Sequence, residues 1–232
     1  MIGLWFTYGA DTACLIESVE SFRACFPESV ICINDDEANS ISNETIDLIA
    51  PDHYEKRAWK SNGNLNGWAA VDGILSFQIA MAKKFQNHKG ALKIDSDTLI
   101  FRNSWIDENA PICGLNAGNE RLFIGVARYL RNDAAQSILK ETKKIERWGN
   151  PPEDILIGSY ALHLYGDKCK SMPWTKYAKS YQYKNDERNY SKTEIVCFGN
   201  RHEIHAKRDC EKRQIAGMKM AALRKKIRGS TI

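Results

Sequence analysis

The opening segment, residues 2–33, limits the fold more than any other part of the chain. Ile2 to Tyr8 (IGLWFTY) is a short apolar run rich in strand formers, and it closes at Gly9. Such a run predicts a buried strand. Asp11 or Thr12 is placed to cap a following helix. Leu15, Ile16, Val19, Phe22 and Phe26 then recur at helical spacing, and Pro27 stops the pattern. Val30 to Ile33 (VICI) is a second apolar run, closed by Asn34-Asp35-Asp36-Glu37, which reads as an acidic turn. A strand, a helix and a strand in this order imply a right-handed βαβ unit. The expected class is α/β, with a mainly parallel sheet flanked by helices.

The remaining pattern extends that plan. Thr45 to Ala50 fits a short strand or a helical turn, and Ser61 to Gly67 (SNGNLNG) reads as a loop. From Trp68, the residues Val71, Leu75, Ile79 and Ala82 keep helical spacing as far as Phe85. Ala91 to Ile94 is a strand that runs into Asp95-Ser96-Asp97, and Leu99 to Phe101 continues extended. Pro111–Leu115 and Leu122–Tyr129 read as strands, and Asp133–Trp148 as an amphipathic helix. Pro151-Pro152 pre-sets a helix from Glu153 to Tyr165. Residues 166–192 are polar, aromatic and irregular, Glu194–Phe198 is a late strand, and Cys210–Arg228 is a basic helix.

Composition narrows the class further. With 232 residues, 43% hydrophobic and 27% charged, the chain can bury a core as one large domain and is not disordered. No apolar run reaches the roughly 18 residues of a membrane span. The first residues lack the basic start and apolar stretch of a secretory signal. Seven scattered cysteines, an odd number without a CxxC pair, read as free thiols in a reducing compartment, so a cytoplasmic location is expected. Charge is uneven. Residues 1–166 hold 16 Lys+Arg against 22 Asp+Glu, and residues 167–232 hold 17 against 7, so the C-terminal part sums to +10. That imbalance points to an anionic partner or to a solvated basic helix.

The chemistry concentrates in LKIDSDTLIF, residues 92–101. A strand delivers two carboxylates, Asp95 and Asp97, separated by Ser96, and strand alternation points both to one side. The carboxyl edge of an open α/β sheet is where ligands bind. Two hard oxygen ligands there suit Mn²⁺ or Mg²⁺, with water and a diphosphate in the remaining positions. The other reading is a solvated acidic turn.

The early strand, the KIDSDT segment and the later acidic pair together resemble a nucleotide-sugar glycosyltransferase of the GT-A fold, of phage or bacterial type. The resemblance runs through most of residues 1–205 at the level of motif order. It implies one glycosyltransferase domain over residues 1–232. Residues 1–102 would form the nucleotide-sugar half, 103–205 the acceptor half and 206–232 a basic C-terminal helix. By the resemblance, Asp95 and Asp97 hold a divalent ion on the donor diphosphate, where the ion offsets charge on the departing nucleoside diphosphate. A late histidine often completes the metal in that family. His202 and His205 are the candidates here, with His205 slightly favoured. Pro152-Glu153-Asp154-Ile155 matches the family's later acidic pair. Glu153 or Asp154 is then a candidate general base on an acceptor hydroxyl, or simply a favourable charge at a helix start. The first role implies inversion at the anomeric centre, and mere positioning permits retention.

Donor contacts are expected at the strand ends and loops around that edge. Thr7, Tyr8 and Gly9 end the first strand, and Asp35 and Asp36 end the second. Asn64, Asn66 and Gly67 precede the long helix, and their amides suit sugar hydroxyls. Ser96 lies between the two aspartates. Asn200, Arg201 and Lys207 follow the late strand, where the cations can meet diphosphate oxygens. Each of these residue types is also common in plain turns.

Two rivals stand beside this reading. Cys197, His202, His205 and Cys210 are zinc-ligand types, although their spacing matches no common zinc module. The basic C-terminal part, with Trp174, Tyr177, Tyr181, Tyr183 and Tyr190 among lysines, would also suit a non-enzymatic nucleic-acid-binding protein. The chain shows no GxGxxG after the first strand, no P-loop and no GxSxG. The expectation is a metal-dependent transferase. It moves a sugar from a nucleotide-diphosphate sugar, with UDP favoured by the resemblance, to a hydroxyl acceptor on a glycan or modified DNA.

Overall fold

The computed structural model describes residues 1–57, 67–116, 123–147, 149, 151–172, 177–179, 193–198 and 210–229. Its strands are β1 (Ile2–Thr7), β2 (Val30–Asp36), β3 (His53–Arg57), β4 (Gly90–Ile94), β5 (Thr98–Ile100), β6 (Ile112–Asn116), β7 (Phe123–Arg131), β8 (Lys170–Met172), β9 (Tyr177–Lys179) and β10 (Ile195–Cys197). Its α-helices are α1 (Thr12–Cys25), α2 (Asn43–Ile49), α3 (Gly67–Lys84), α4 (Asn132–Thr142), α5 (Glu153–Tyr165) and α6 (Cys210–Gly229). Seven strands form the main sheet in the order β3-β2-β1-β4-β7-β6-β8, and β5-β10-β9 form a smaller one. From β3 to β4 every neighbouring pair is parallel, β7 runs antiparallel to both β4 and β6, and β8 is parallel to β6. The α/β class with a mainly parallel sheet is as the sequence predicts.

The opening unit forms for the expected reasons. Residues of β1 are buried along nearly the whole strand. α1 closes before Pro27, with the Phe26 amide bonded to the Phe22 carbonyl. One face of the sheet packs on α1: Trp5, Ile31, Ile33, Leu92 and Ile94 meet Leu15, Val19 and Phe22. Trp5 and Phe22 touch edge to face at 5.2 Å, and both are fully buried. Each buried aromatic of this kind is worth about 1.5–3 kcal/mol. The opposite face, with Leu4, Ala91, Ile112 and Leu130, is covered by α3, α4 and α5.

Several elements differ from the sequence expectation, among them β8 and β9, which form within the stretch 166–192 that reads as irregular. β2 continues through Asn34, Asp35 and Asp36, which are buried strand residues and not a turn. The cause is β3, a polar edge strand that pairs with them; Asn34 Nδ2 donates to Glu55 Oε1 at 2.6 Å. Of the two readings of Thr45 to Ala50 the helical one holds: α2 runs to Ile49 with Ala50 as its C-cap, and the Ser42 side chain caps the Thr45 amide. α4 ends at Thr142 and not at Trp148, because its buried stripe of Ala134, Ala135, Ile138 and Thr142 stops there. Residues 143–147 are exposed, and Arg147 is bound to Asp72 of α3 at 2.6 and 2.9 Å.

The last helix is part of the packed structure. α6 lies against α1 closely enough that a Cβ on Gly217 would stand 2.5 Å from Ala13 Cβ. Met220 is fully buried beside Cys14 and Val196, and Arg224 Nε pairs with Glu17 at 2.5 Å. No helix among the described residues is long and apolar enough to cross a membrane. Among the described residues, Cys14, Cys25, Cys32, Cys113, Cys169 and Cys197 form no disulfide.

Candidate active site

The parallel strands β2, β1 and β4 bring Asp36, Thr7 and Ile94 to one carboxyl edge. The chain leaves the sheet after Ile94 and turns at once, with the Thr98 amide bonded to the Asp95 carbonyl at 3.0 Å. Asp95, Ser96 and Asp97 therefore belong to a tight turn, and strand alternation does not set their directions. Their environments differ. The Asp95 side chain is 38% accessible, whereas Asp97 is 5% exposed. Asp97 is anchored from β10: the Phe198 amide donates to its carbonyl at 2.8 Å, and Cys197 Sγ lies 3.9 Å from Oδ1. Ser96 is buried between them.

Beneath this turn lies a charge cluster that the sequence reading did not include. Lys93, two residues earlier on β4, is buried, with Nζ 2.5 Å from Asp95 Oδ1 and 3.8 Å from Glu153 Oε1. Arg128 on β7 is its register partner, is 1% exposed, and has no hydrogen-bond partner on Nη1 among the described residues. Burial works against the Lys93 ammonium, but Asp95 and Glu153 outweigh it and hold its pKa above the ordinary value. Burial depresses the Arg128 pKa, against the pull of Glu153, Asp154 and Asp95. The detectable signal was a Lys and an Arg at inward positions of otherwise apolar strands, KGALKI and FIGVARYL.

α5 brings the acidic pair to this cluster. Glu153 is buried, and burial pushes its carboxyl upward against the nearby Lys93. Asp154 is half-buried, and its Oδ1 accepts from the Ile155 amide at 2.8 Å. Both sit in the first turn of α5, where the helix end favours negative charge. Gly67 starts α3 alongside them: its amide donates to the Pro151 carbonyl at 3.0 Å, and its φ of +68° is one that side chains rarely adopt.

At the β1–β2 end of the edge the residues expected to contact the donor are engaged with one another. Asp35 is fully buried and accepts from Thr7 Oγ1 (2.8 Å), Tyr54 OH (2.9 Å) and the Ile41 amide (3.0 Å). Burial raises its pKa, and those three bonds offset part of the rise. Asp36 is buried, with Oδ1 3.3 Å from the Ala38 amide. Tyr8 is buried, and its amide donates to Asp11 Oδ2 at 3.2 Å. Gly9 meets the segment after β2, where an added Cβ would lie 2.6 Å from Asn39 Oδ1. The expectations on Asn64, Asn66, Asn200, Arg201, His202, His205 and Lys207 lie outside the described residues.

The donor set at the turn fits a hard divalent ion in type: two carboxylates from one turn, one of them accessible. Among the described residues no three His, Cys, Asp or Glu side chains cluster as a metal site. A third protein ligand would have to come from elsewhere, or water and substrate would supply it.

No family model matches the sequence, and no curated protein is similar to it by sequence. Solved structures are similar in shape. A glycosyltransferase involved in the glycosylation of the major capsid of PBCV-1 superposes with a TM-score of 0.58 at 11% identity, covering 95% of this chain and 98% of that one. The galactosyltransferase LgtC, solved with donor and acceptor sugar analogs, gives 0.55 at 11% identity, with 94% and 96% covered. The glycosyltransferase GlyE of Streptococcus pneumoniae TIGR4 gives 0.51 at 13% identity, covering 93% of this chain and 59% of that one. The chain has the GT-A fold. Within that GT-A fold, the Asp95–Asp97 turn follows a central strand at the carboxyl edge, and the start of α5 lies beside it.

Proposed function

We propose that this protein is a glycosyltransferase that moves a sugar from a nucleotide-diphosphate sugar, UDP-linked by the resemblance, to a hydroxyl acceptor. The observation that carries the reading is the junction of two acidic segments on one ammonium. Lys93 ties the Asp95 turn to the acidic start of α5 at the carboxyl edge of the sheet. The shared fold with glycosyltransferases supports it.

Asp95 and Asp97 would hold Mn²⁺ or Mg²⁺, which when bound offsets charge on the departing nucleoside diphosphate. His205 is the proposed third ligand. Between the two acids of α5, Asp154 is the better candidate for the acceptor hydroxyl. Glu153 is buried against Lys93, whereas Asp154 is half-buried at the helix start. An acid there takes the hydroxyl proton as the oxygen attacks, or orients that oxygen. Lys93 keeps Asp95 in place and balances the buried Glu153. Thr7, Tyr8, Gly9, Asp35, Asp36 and Gly67 shape the donor end mainly through the bonds they make with their neighbours. Asn64, Asn66, Asn200, Arg201 and Lys207 remain proposed donor contacts.

A thermal-shift series of nucleotide sugars, with and without Mn²⁺, tests the reading. The right donor raises the melting temperature by mass action, and more so with the metal. Donor hydrolysis that stops on adding a chelator and returns with Mn²⁺ completes the support. A full series with no stabilisation and no hydrolysis would remove it. Glycan and modified-DNA acceptors are then separated by adding each to the donor. Salt-sensitive DNA binding without any donor turnover would favour the nucleic-acid-binding alternative.

A further inference from the structure

We infer that the outward face of α6 is a docking surface for an anionic lipid bilayer. The inner face of the helix is committed to α1 through Gly217, Met220 and Arg224. The outward face is organised differently. Ile215 and Met218 are 45% and 72% exposed, and both are large apolar side chains. Ala222 is exposed with them, one helical turn beyond Met218. At 100° per residue, Met218, Ala222 and Ile215 form the centre of the exposed arc. Lys225 falls on one side of that centre, and Lys219 and Lys226 on the other; all three are exposed. The helix carries seven Lys and Arg against one Glu.

An apolar centre flanked by lysines is the pattern of a helix that lies in a membrane interface. The apolar groups enter the acyl boundary, while the long lysine stems let their ammonium groups reach the lipid phosphates. The charge balance selects anionic lipid. A nucleic-acid backbone would satisfy the lysines but leave Ile215 and Met218 in water. A second copy of this chain would bring the same positive surface against itself.

The position of the helix gives the docking a use. α6 also contacts the 3-10 turn at Gly9–Asp11, which follows the end of β1 on the same sheet edge as Asp95. A bilayer under α6 thus holds that edge close to the membrane surface, within reach of acceptors carried there. This last step rests on the proposed function, whereas the docking itself does not.

Co-sedimentation of the full chain with phosphatidylglycerol-containing vesicles and with pure phosphatidylcholine vesicles tests the inference. The protein is expected to pellet with the anionic vesicles at low salt, to be released as salt rises, and to stay in solution with the zwitterionic ones. Lys219→Glu/Lys225→Glu should weaken binding roughly tenfold or more. Ile215→Ser/Met218→Ser should weaken it several-fold while keeping its salt dependence. Circular dichroism checks the fold of each variant, and Lys219→Gln/Lys225→Gln is the milder substitute if the first pair unfolds. Three results would overturn the inference. They are no pelleting with anionic vesicles at low salt, variants that bind like the wild type, and a concentration-dependent dimer that the Ile215/Met218 variant abolishes. Preferential release from vesicles by duplex DNA would reassign the surface to nucleic acid. Donor hydrolysis in the absence of vesicles is unchanged in these variants. Its absence from the wild type as well would strike the transferase reading and leave the vesicle result standing.

Discussion

Lys93 on β4 and Arg128 on β7 face each other across an antiparallel pair, and both are buried. Two like charges opposite one another destabilise a sheet. Here the carboxylates of Asp95 and Glu153, with Asp154 nearby, offset that repulsion. The sheet therefore delivers the Asp95 turn on a strand held by apolar packing through Leu92 and Ile94 on one face and by this charge cluster on the other.

Lys93→Met should destabilise the fold by about 3 kcal/mol, because it leaves Glu153 buried without its nearest cation. Urea unfolding measures the loss. Lys93→Met/Glu153→Gln should recover part of it, since the uncompensated charge is then gone. A single variant as stable as the parent would mean that the cluster is not energetically coupled.

Asp97→Ala should abolish turnover while the circular dichroism spectrum stays native. Mn²⁺ binding, read by electron paramagnetic resonance, should weaken with it. Wild-type-like activity would remove the metal role of this turn. Asp154→Ala should lower kcat far more than it raises the KM for donor, because its proposed partner is the acceptor hydroxyl. A loss confined to donor KM would assign Asp154 to donor binding instead.

Gly217→Ala should loosen the contact between α6 and α1. The new Cβ would lie 2.5 Å from Ala13 Cβ and 2.9 Å from the Ala13 backbone carbon, so one helix must move. The expected cost is about 1–3 kcal/mol by urea unfolding, with faster proteolysis of α6. Unchanged stability and unchanged proteolysis would show that the helix pair has slack.

The Cys32 thiol is buried in the sheet, and burial pushes its pKa up to about 12 from 9.0, with Asp52 adding to the rise and Lys84 opposing it. The folded state thus keeps the proton while the unfolded chain releases it. Stability is unaffected below the unfolded value and falls as pH rises towards the folded one. Urea midpoints should decline across that alkaline window, and Cys32→Ala should flatten the decline. At neutral pH, Cys32 should resist thiol reagents until the protein is unfolded. Rapid labelling of native Cys32 would contradict its burial.

Local pattern was enough for a large share of this molecule. IGLWFTY, VICI and ALKI needed no partner to be recognised as buried strands, since unbroken apolar runs have few other stable fates. The helix from Glu153 to Tyr165 was marked by Pro151-Pro152, and the two aspartates after β4 were visible as a motif. Tertiary structure decided what depends on distant partners. β3 is polar and becomes a strand only because β2 accepts it. Asp35, which looks like a donor contact in sequence, is enclosed by Thr7, Ile41 and Tyr54. Lys93 and Glu153 are far apart in sequence and meet only because α5 packs over β7, the neighbour of β4. Sequence carries short-range preference directly, whereas a buried charge reveals its role only when the fold shows which opposite charge was brought to it.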